Sequence, residues 1–337
     1  MAKPLAGHFA ASLYVCAIGA IIPALPAIAF MKTSRGLRFV VKTRRVLRVG
    51  LLPLLLALTA RATASEPEYP NGPRVFVCAH SFMIFTSKGL PDLAKSAGLP
   101  YVFAGKQMLG GSRVIQHWNL PDDQNRAKAA LKAGSVDILT VSPHLQLPDD
   151  GIDNFTRLGL QANPKLKVLV QASWPPRDGK IGEPFTNAER DAATVESLRA
   201  LRQYFSQAWI TKLEAQVREL NRSIGHDAVF IVPVGDAVFA LRERIAQGQA
   251  PGITRQSELF RDDLGHPAPT LAALVTYCHF AAIYQRSPVG LPVPAELKAV
   301  PQIEQLNPIL QQIAWDTVSH CAFSGVKADA VATGAGQ

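Results

Sequence analysis

From residue 74 onward, short continuous apolar runs alternate with stretches whose apolar positions recur every three or four residues. Five runs read as strands: 75–79, 101–104, 136–142, 166–173 and 228–234. Runs of this length, rich in Val, Ile and Leu and lacking an apolar/polar alternation, are the pattern of strands covered on both faces. Helical periodicity marks 86–97, 122–133, 154–161, a long amphipathic segment over about 189–223, and 236–247. An apolar helix follows at 271–283 and another helix at 302–320. Strands alternating with helices predict parallel pairing, hence a three-layer α/β/α sandwich with a five-stranded parallel sheet. Right-handed crossovers then bring every strand's carboxyl end to one edge, where ligands of such sheets bind. Ser81, Gly110-Gly111, Ser142 to His144, Trp174 and Gly235 fall at these ends or in the loops after them.

The first 64 residues differ in kind. They hold nine Lys or Arg and no Asp or Glu. A basic cluster ending at Arg48 precedes the apolar run 49–60 and the small residues Ala62-Thr63-Ala64, the layout of a cleaved export signal over 31–64. Arg44-Arg45 fits a twin-arginine signal, and a general secretion signal fits the same stretch. Residues 9–30 are a second apolar stretch; either Met31 is the true start or this stretch is a membrane anchor. The formal charge is +9, but removing the leader's nine from 35 basic residues leaves 26, equal to the 26 acidic ones. The domain after the leader is thus neutral, which removes the main support for nucleic-acid binding and leaves membrane contact to an uncleaved leader. The organisation expected is a leader over 1–64, a linker at 65–73, one domain over 74–325 and a disordered tail at 326–337, exported to periplasm or medium. In an oxidising compartment Cys278 and Cys321 could pair; the alternative is two small buried residues. Cys78 reads as core.

A serine at the carboxyl end of the first strand suits a nucleophile, since backbone N–H groups near a helix start favour an oxyanion. Ser81 follows such a strand. Late in the chain stands Asp262-Asp263-Leu264-Gly265-His266-Pro267. Asp263 and His266 are spaced so that the carboxylate can hold the imidazole Nδ1–H while Nε2 accepts the serine proton. Gly265 permits the sharp turn, and Pro267 suits the first position of the next helix. Ser112 and Ser142 are rival nucleophiles, neither placed at the first strand. Trp174 and Arg177, after the fourth strand, could present an aromatic face to a sugar ring and a cation to a carboxylate; the alternative is a Pro-stiffened loop with a half-buried Trp. His80, His117, His144 and His266 can all approach the sheet edge, but none is spaced as metal ligands are, and no metal or cofactor is expected.

These blocks resemble the SGNH hydrolases, also called GDSL-type esterases, over about residues 74–285. Val77-Cys78-Ala79-His80-Ser81 resembles the first block, with Ala-His in place of Gly-Asp or Gly-Asn. Leu109-Gly110-Gly111-Ser112 resembles the second, and Asp263-Leu264-Gly265-His266 the fourth. The third departs: Val141-Ser142-Pro143-His144 carries no asparagine. The resemblance implies a flavodoxin-like sheet, a Ser81–His266–Asp263 triad, and oxyanion donors from the N–H groups of Ser81, Gly110 and Gly111. His144 or Asn119 could stand in for the missing asparagine; the alternative is a hole that relies on the Ser81 and Gly111 N–H groups alone. The expected activity is hydrolysis of a small carboxylic ester, an acyl group on a carbohydrate among the candidates. The same residues would serve sugar O-acylation, and a retired site would leave a secreted glycan-binding protein.

Overall fold

Among the described residues, fifteen strands and α-helices follow in order: β1 (Arg74–Ala79), α1 (Thr86–Ser96), β2 (Val102–Met108), α2 (Val114–Trp118), α3 (Arg126–Lys132), β3 (Ile138–Val141), α4 (Asp150–Ala162), β4 (Lys167–Gln171), α5 (Asn187–Asp191), α6 (Val195–Phe205), α7 (Thr211–Ile224), β5 (Val229–Val232), α8 (Val234–Ala246), α9 (Pro269–Tyr284) and α10 (Ile303–Ser319). The structure is a computed structural model that describes residues 69–180 and 182–326. The expectations for the leader, for linker residues before 69 and for the tail from 327 lie outside the described residues. Among the described residues, no helix is long and apolar enough to cross a membrane.

The five strands form one parallel sheet in the order β2-β1-β3-β4-β5, as the apolar runs predict. Along β1 the side chains alternate between two cores: Val75, Val77 and Ala79 face one, Phe76 and Cys78 the other. The first core is closed by α1, α8, α9 and α10, the second by α2, α3, α4 and α7. The α9 helix is buried around nearly its whole circumference because it lies between the sheet and α10, and its sequence is correspondingly apolar on all sides. In this strand order the chain reverses direction of winding between β1 and β3, and the carboxyl ends flanking that reversal are where a crevice opens.

The segment expected as one long helix over 189–223 is divided. Thr186 and Thr194 each accept an N–H in a capping box and start α5 and α6 separately. One π turn, Ser206–Ile210, then joins α6 to α7. Strand β2 runs four residues past the expected end, because Gly105 at φ 135° allows the register shift opposite Phe76. A Cβ there would come within 2.8 Å of the Phe76 ring. Helix α9 begins at Pro269, not after Pro267, because Pro267 is held in an antiparallel bridge to Phe260. Cys78, Cys278 and Cys321 are free thiols, the first two buried.

Helix α2, in a stretch expected as loop, has five residues and cannot sustain itself. The fully buried Asp149 carboxylate accepts the N–H groups of Val114 and Ile115, each at 2.8 Å, and of Gly151 at 3.0 Å. One side chain thereby starts α2 and α4 together. Gly151 lets the two helix starts touch: a Cβ would stand 2.6 Å from the Val114 carbonyl oxygen and closer still to backbone carbon and nitrogen. Alanine is ordinarily the better helix residue by about 1 kcal/mol, but here the obstacle is backbone. Gly151→Ala should therefore destabilise the fold by about 1–3 kcal/mol, measured as a lowered urea midpoint at unchanged slope.

Candidate active site

Ser81 sits directly beyond β1, in the turn before α1. The backbone on both sides of it is fixed. His80 N–H donates to Ser142 Oγ at 3.1 Å, tying the end of β1 to the end of β3. Phe82 N–H donates to His80 Nδ1 at 3.2 Å. An Asp or Asn side chain accepts the N–H two residues on in just this way, so the imidazole of His80 does the turn-forming work such a side chain commonly does. Phe82 O accepts from Gln171 Nε2 at 3.1 Å, and Gln171 Oε1 is bound by His279 Nε2 at 2.9 Å. A buried polar chain from α9 through β4 thus reaches the residue after Ser81.

Across 185 positions of sequence, His266 Nε2 lies 2.9 Å from Ser81 Oγ. Its Nδ1 lies 2.6 Å from Asp262 Oδ2. The partner acid is therefore Asp262, not the expected Asp263. Gly265, at φ 104°, closes a turn in which Asp262 Oδ1 accepts the N–H groups of both Gly265 (3.0 Å) and His266 (3.1 Å). That turn aims the carboxylate of residue 262 at the His266 ring. The carboxylate of Asp263 points the other way and accepts from Asn187 N–H at 3.1 Å. Partial burial raises the Asp262 carboxyl, but the hydrogen bonds from His266 and Gly265 outweigh it and hold it below the usual carboxylate range.

The turn is held from outside. Arg190, almost fully buried, lies between the Phe185 and Phe260 rings, 4.8 and 4.4 Å from their centroids. It donates to Asp263 O at 2.7 Å, to Asp262 O at 3.3 Å and to Asn187 Oδ1. Asp178 stands 3.7 Å from Arg190 and is gripped by both terminal nitrogens of Arg242 at 2.9 and 2.6 Å. From the β4 side, Trp174 Nε1–H donates to Gly265 O at 3.1 Å.

The oxyanion candidates Gly110 and Gly111 line the same cavity as Ser81. Among the described residues, no backbone acceptor takes the N–H of Ser81, Gly110 or Gly111. The glycine loop is braced by Ser112, whose Oγ donates to Leu109 O at 3.0 Å and lies 2.9 Å from His117 Nε2. Gln107 holds the other nitrogen of His117 at 3.2 Å. This second serine–histidine contact is buried and structural. Ser142 is likewise committed, as acceptor for His80.

The cavity, about 420 Å³, opens between the loops after β1, β2, β3 and β4. His144 and Trp174 line it, as expected. Trp174 is only 3% exposed and stacks on Phe82 at 4.7 Å, so it is a wall and not an open platform for a sugar. Asn119 and Arg177 are exposed and do not line the cavity. Asn119 ends α2, with its N–H bound to Ile115 O. Arg177 stands in a left-handed turn, φ 48°, whose N–H is spent on Leu264 O. Residues not expected from the sequence are Asp262, the Arg190 clamp, and the apolar wall of Leu145, Phe205 and Trp209. A larger hollow of about 580 Å³ lies at the opposite, amino-terminal edge of the sheet near His226 and Phe323, away from Ser81. Among the described residues, no group of His, Cys, Asp and Glu could hold a metal ion.

No protein-family model matches the chain, and no curated protein matches it. Several solved chains are similar at low level, among them the following two. A DUF4886 family protein from Bacteroides uniformis is 12% identical with a TM-score of 0.46, over 74% of this chain and 95% of its own. The periplasmic domain of a lipopolysaccharide acetyltransferase from Salmonella ser. Paratyphi A is 11% identical with a TM-score of 0.28, over 48% and 67%. The chemistry of the site rests on its own residues.

Three buried imidazoles near this framework must stay neutral: burial lowers His80 and His117 to about 4 and His279 to about 3, with the charge of His144 adding to the effect at His80. The unfolded chain takes up these protons near pH 6.5 and the folded chain does not. Stability should therefore fall as pH drops from about 6.5 toward 4, by roughly 1.4 kcal/mol per pH unit for each group. Urea midpoints measured across that window read the slope, and replacing His117 by Gln should reduce it.

Proposed function

We propose that this chain is an exported serine hydrolase of SGNH type that cleaves a carboxylic ester. One observation carries the reading: a single imidazole joins Ser81 Oγ at 2.9 Å to the Asp262 carboxylate at 2.6 Å, at the carboxyl edge of a parallel sheet. Asp262 accepts a hydrogen bond from Nδ1–H, which keeps the proton on Nδ1 and leaves Nε2 as the base. Ser81 Oγ bonds to the ester carbonyl carbon as its proton passes to Nε2. The carbonyl oxygen, now anionic, takes N–H groups of Ser81 and of Gly110 or Gly111. The bond from carbon to the alcohol oxygen then breaks, and the alcohol leaves with the proton from Nε2. Water repeats the sequence on the acyl-serine, releasing the carboxylic acid and restoring the hydroxyl. Atoms and protons balance among ester, water and these side chains.

His144 is the proposed stand-in for the family's third-block asparagine, since it lines the cavity after β3. The Asp262–His266 spacing is one residue longer than the family's closing block. The alcohol side faces the half-exposed His266 and suits a polar carrier, a carbohydrate being the one proposed.

Purified protein should hydrolyse aryl esters and react with a fluorophosphonate probe, and Ser81→Ala should abolish both. Asp262→Asn should lower kcat by roughly 10²–10⁴-fold through loss of the imidazole's orientation, while Asp263→Asn should stay within about threefold of the parent, as expected for a side chain whose only site contact is Asn187 N–H. Equal loss in the two variants, or labelling that survives Ser81→Ala, would rule the assignment out.

A further inference from the structure

We infer that the cavity beside Ser81 is an acyl-chain pocket for a medium-length aliphatic acid, about six to ten carbons, and that the π turn after α6 builds its far wall. The inference rests on the serine-hydrolase reading and specifies its substrate. The cavity has two sides that belong to different layers of the fold. Phe82, Trp174 and Leu264 stand with His266 on the side of α9. Leu145, Phe205 and Trp209 stand on the side of α7. The departing alcohol must receive its proton from His266 Nε2, so it leaves on the first side. The acyl group is then directed to the second, which is wholly apolar in these side chains.

That second wall is built, not incidental. Phe205 and Trp209 stack at 5.2 Å with their planes 13° apart; Phe205 immediately precedes the π turn Ser206–Ile210 and Trp209 lies within it. Such turns are rare and recur at functional sites because the extra residue redirects the side chains around it. Trp209 Nε1–H donates to His144 O at 3.2 Å. The wall is thereby fastened to the loop after β3, and the indole's polar atom is occupied while its ring faces the cavity. At about 30 Å³ for each water-sized group, 420 Å³ holds roughly fourteen heavy-atom groups. The ester and the first atoms of the alcohol take several, and an acyl chain of the stated length fills the remainder.

The test measures kcat/KM by pH-stat for ethyl esters from acetate to decanoate, using the full chain. It should rise roughly fourfold per added methylene to about octanoate and then level off. Ethyl octanoate should outrun octyl acetate. Leu145→Trp, which adds bulk inside the cavity at a partly buried position, should cut the octanoate-to-acetate ratio at least tenfold. A separate arm reads occupancy without turnover: octanoate should bind Ser81→Ala saturably, followed by tryptophan fluorescence, and Leu145→Trp should weaken that binding. Rates that fall from acetate to octanoate, faster cleavage of octyl acetate, or no octanoate binding would each overturn the acyl pocket while leaving the serine mechanism standing. Octanoate binding with no ester cleaved and no fluorophosphonate labelling would support the pocket and remove the serine mechanism instead.

Discussion

A hydroxyl, an imidazole and a carboxylate in line require an imidazole that cannot rotate away, and that condition falls on one turn, residues 260–267. The turn is not stabilised by regular structure. Its ends are pinned by the Phe260–Pro267 bridge and by Arg261 N–H on His266 O. Its interior is filled by the Asp262 carboxylate, which accepts two backbone N–H groups as well as the His266 ring. Its outer carbonyls are taken by Arg190 and Trp174. A carboxylate carrying three such bonds has little freedom left, so the geometry that orients the His266 imidazole is the same geometry that closes the turn.

The clamp behind the turn has an energetic consequence. Arg190 and Arg242 are both almost fully buried and share Asp178. Removing one partner of such a group leaves a charge without compensation in a low-dielectric setting and commonly costs 3–5 kcal/mol. The arrangement is a poor source of stability and a good source of uniqueness: it admits one placement of the 176–179 turn, the 185–190 segment and the 260–266 turn relative to one another. The geometry proposed for catalysis would have to be kept to about half an ångström, and rigid buried contacts supply that where loops alone would not.

The same economy recurs elsewhere around the cavity. Gln171 and His279 carry buried polar atoms through the core to hold Phe82, and Asp149 starts two helices at once. Each bridges elements distant in sequence, so the carboxyl edge of the sheet is braced from both layers. Ser81 stands between those layers, with the His266 imidazole arriving from one and the apolar wall of Phe205 and Trp209 from the other.

Much of the fold is written in short-range pattern. Five apolar runs and the helical periods between them suffice for the parallel sheet, because burial on both faces leaves no polar alternation to misread. The position of Ser81 at the end of β1 and the presence of His266 in a glycine turn are legible for the same reason. Helix breaks at Thr186 and Thr194 were open to the same reading, since both head capping boxes, but the continuous amphipathic stripe across them hides the interruption.

What the sequence could not decide is which of two adjacent acids meets the imidazole. Asp262 and Asp263 differ by one position, and the outcome depends on the left-handed conformation of Gly265 and on Arg190 drawing the Asp263 carbonyl outward. The role of His80 as a turn acceptor, the commitment of Arg177 and Asn119 to solvent, and the meeting of Leu145 with Phe205 and Trp209 are decided likewise. Periodicity reports which face of an element is buried; it carries no information about where a loop side chain is aimed, because that is set by packing partners fifty or more residues away.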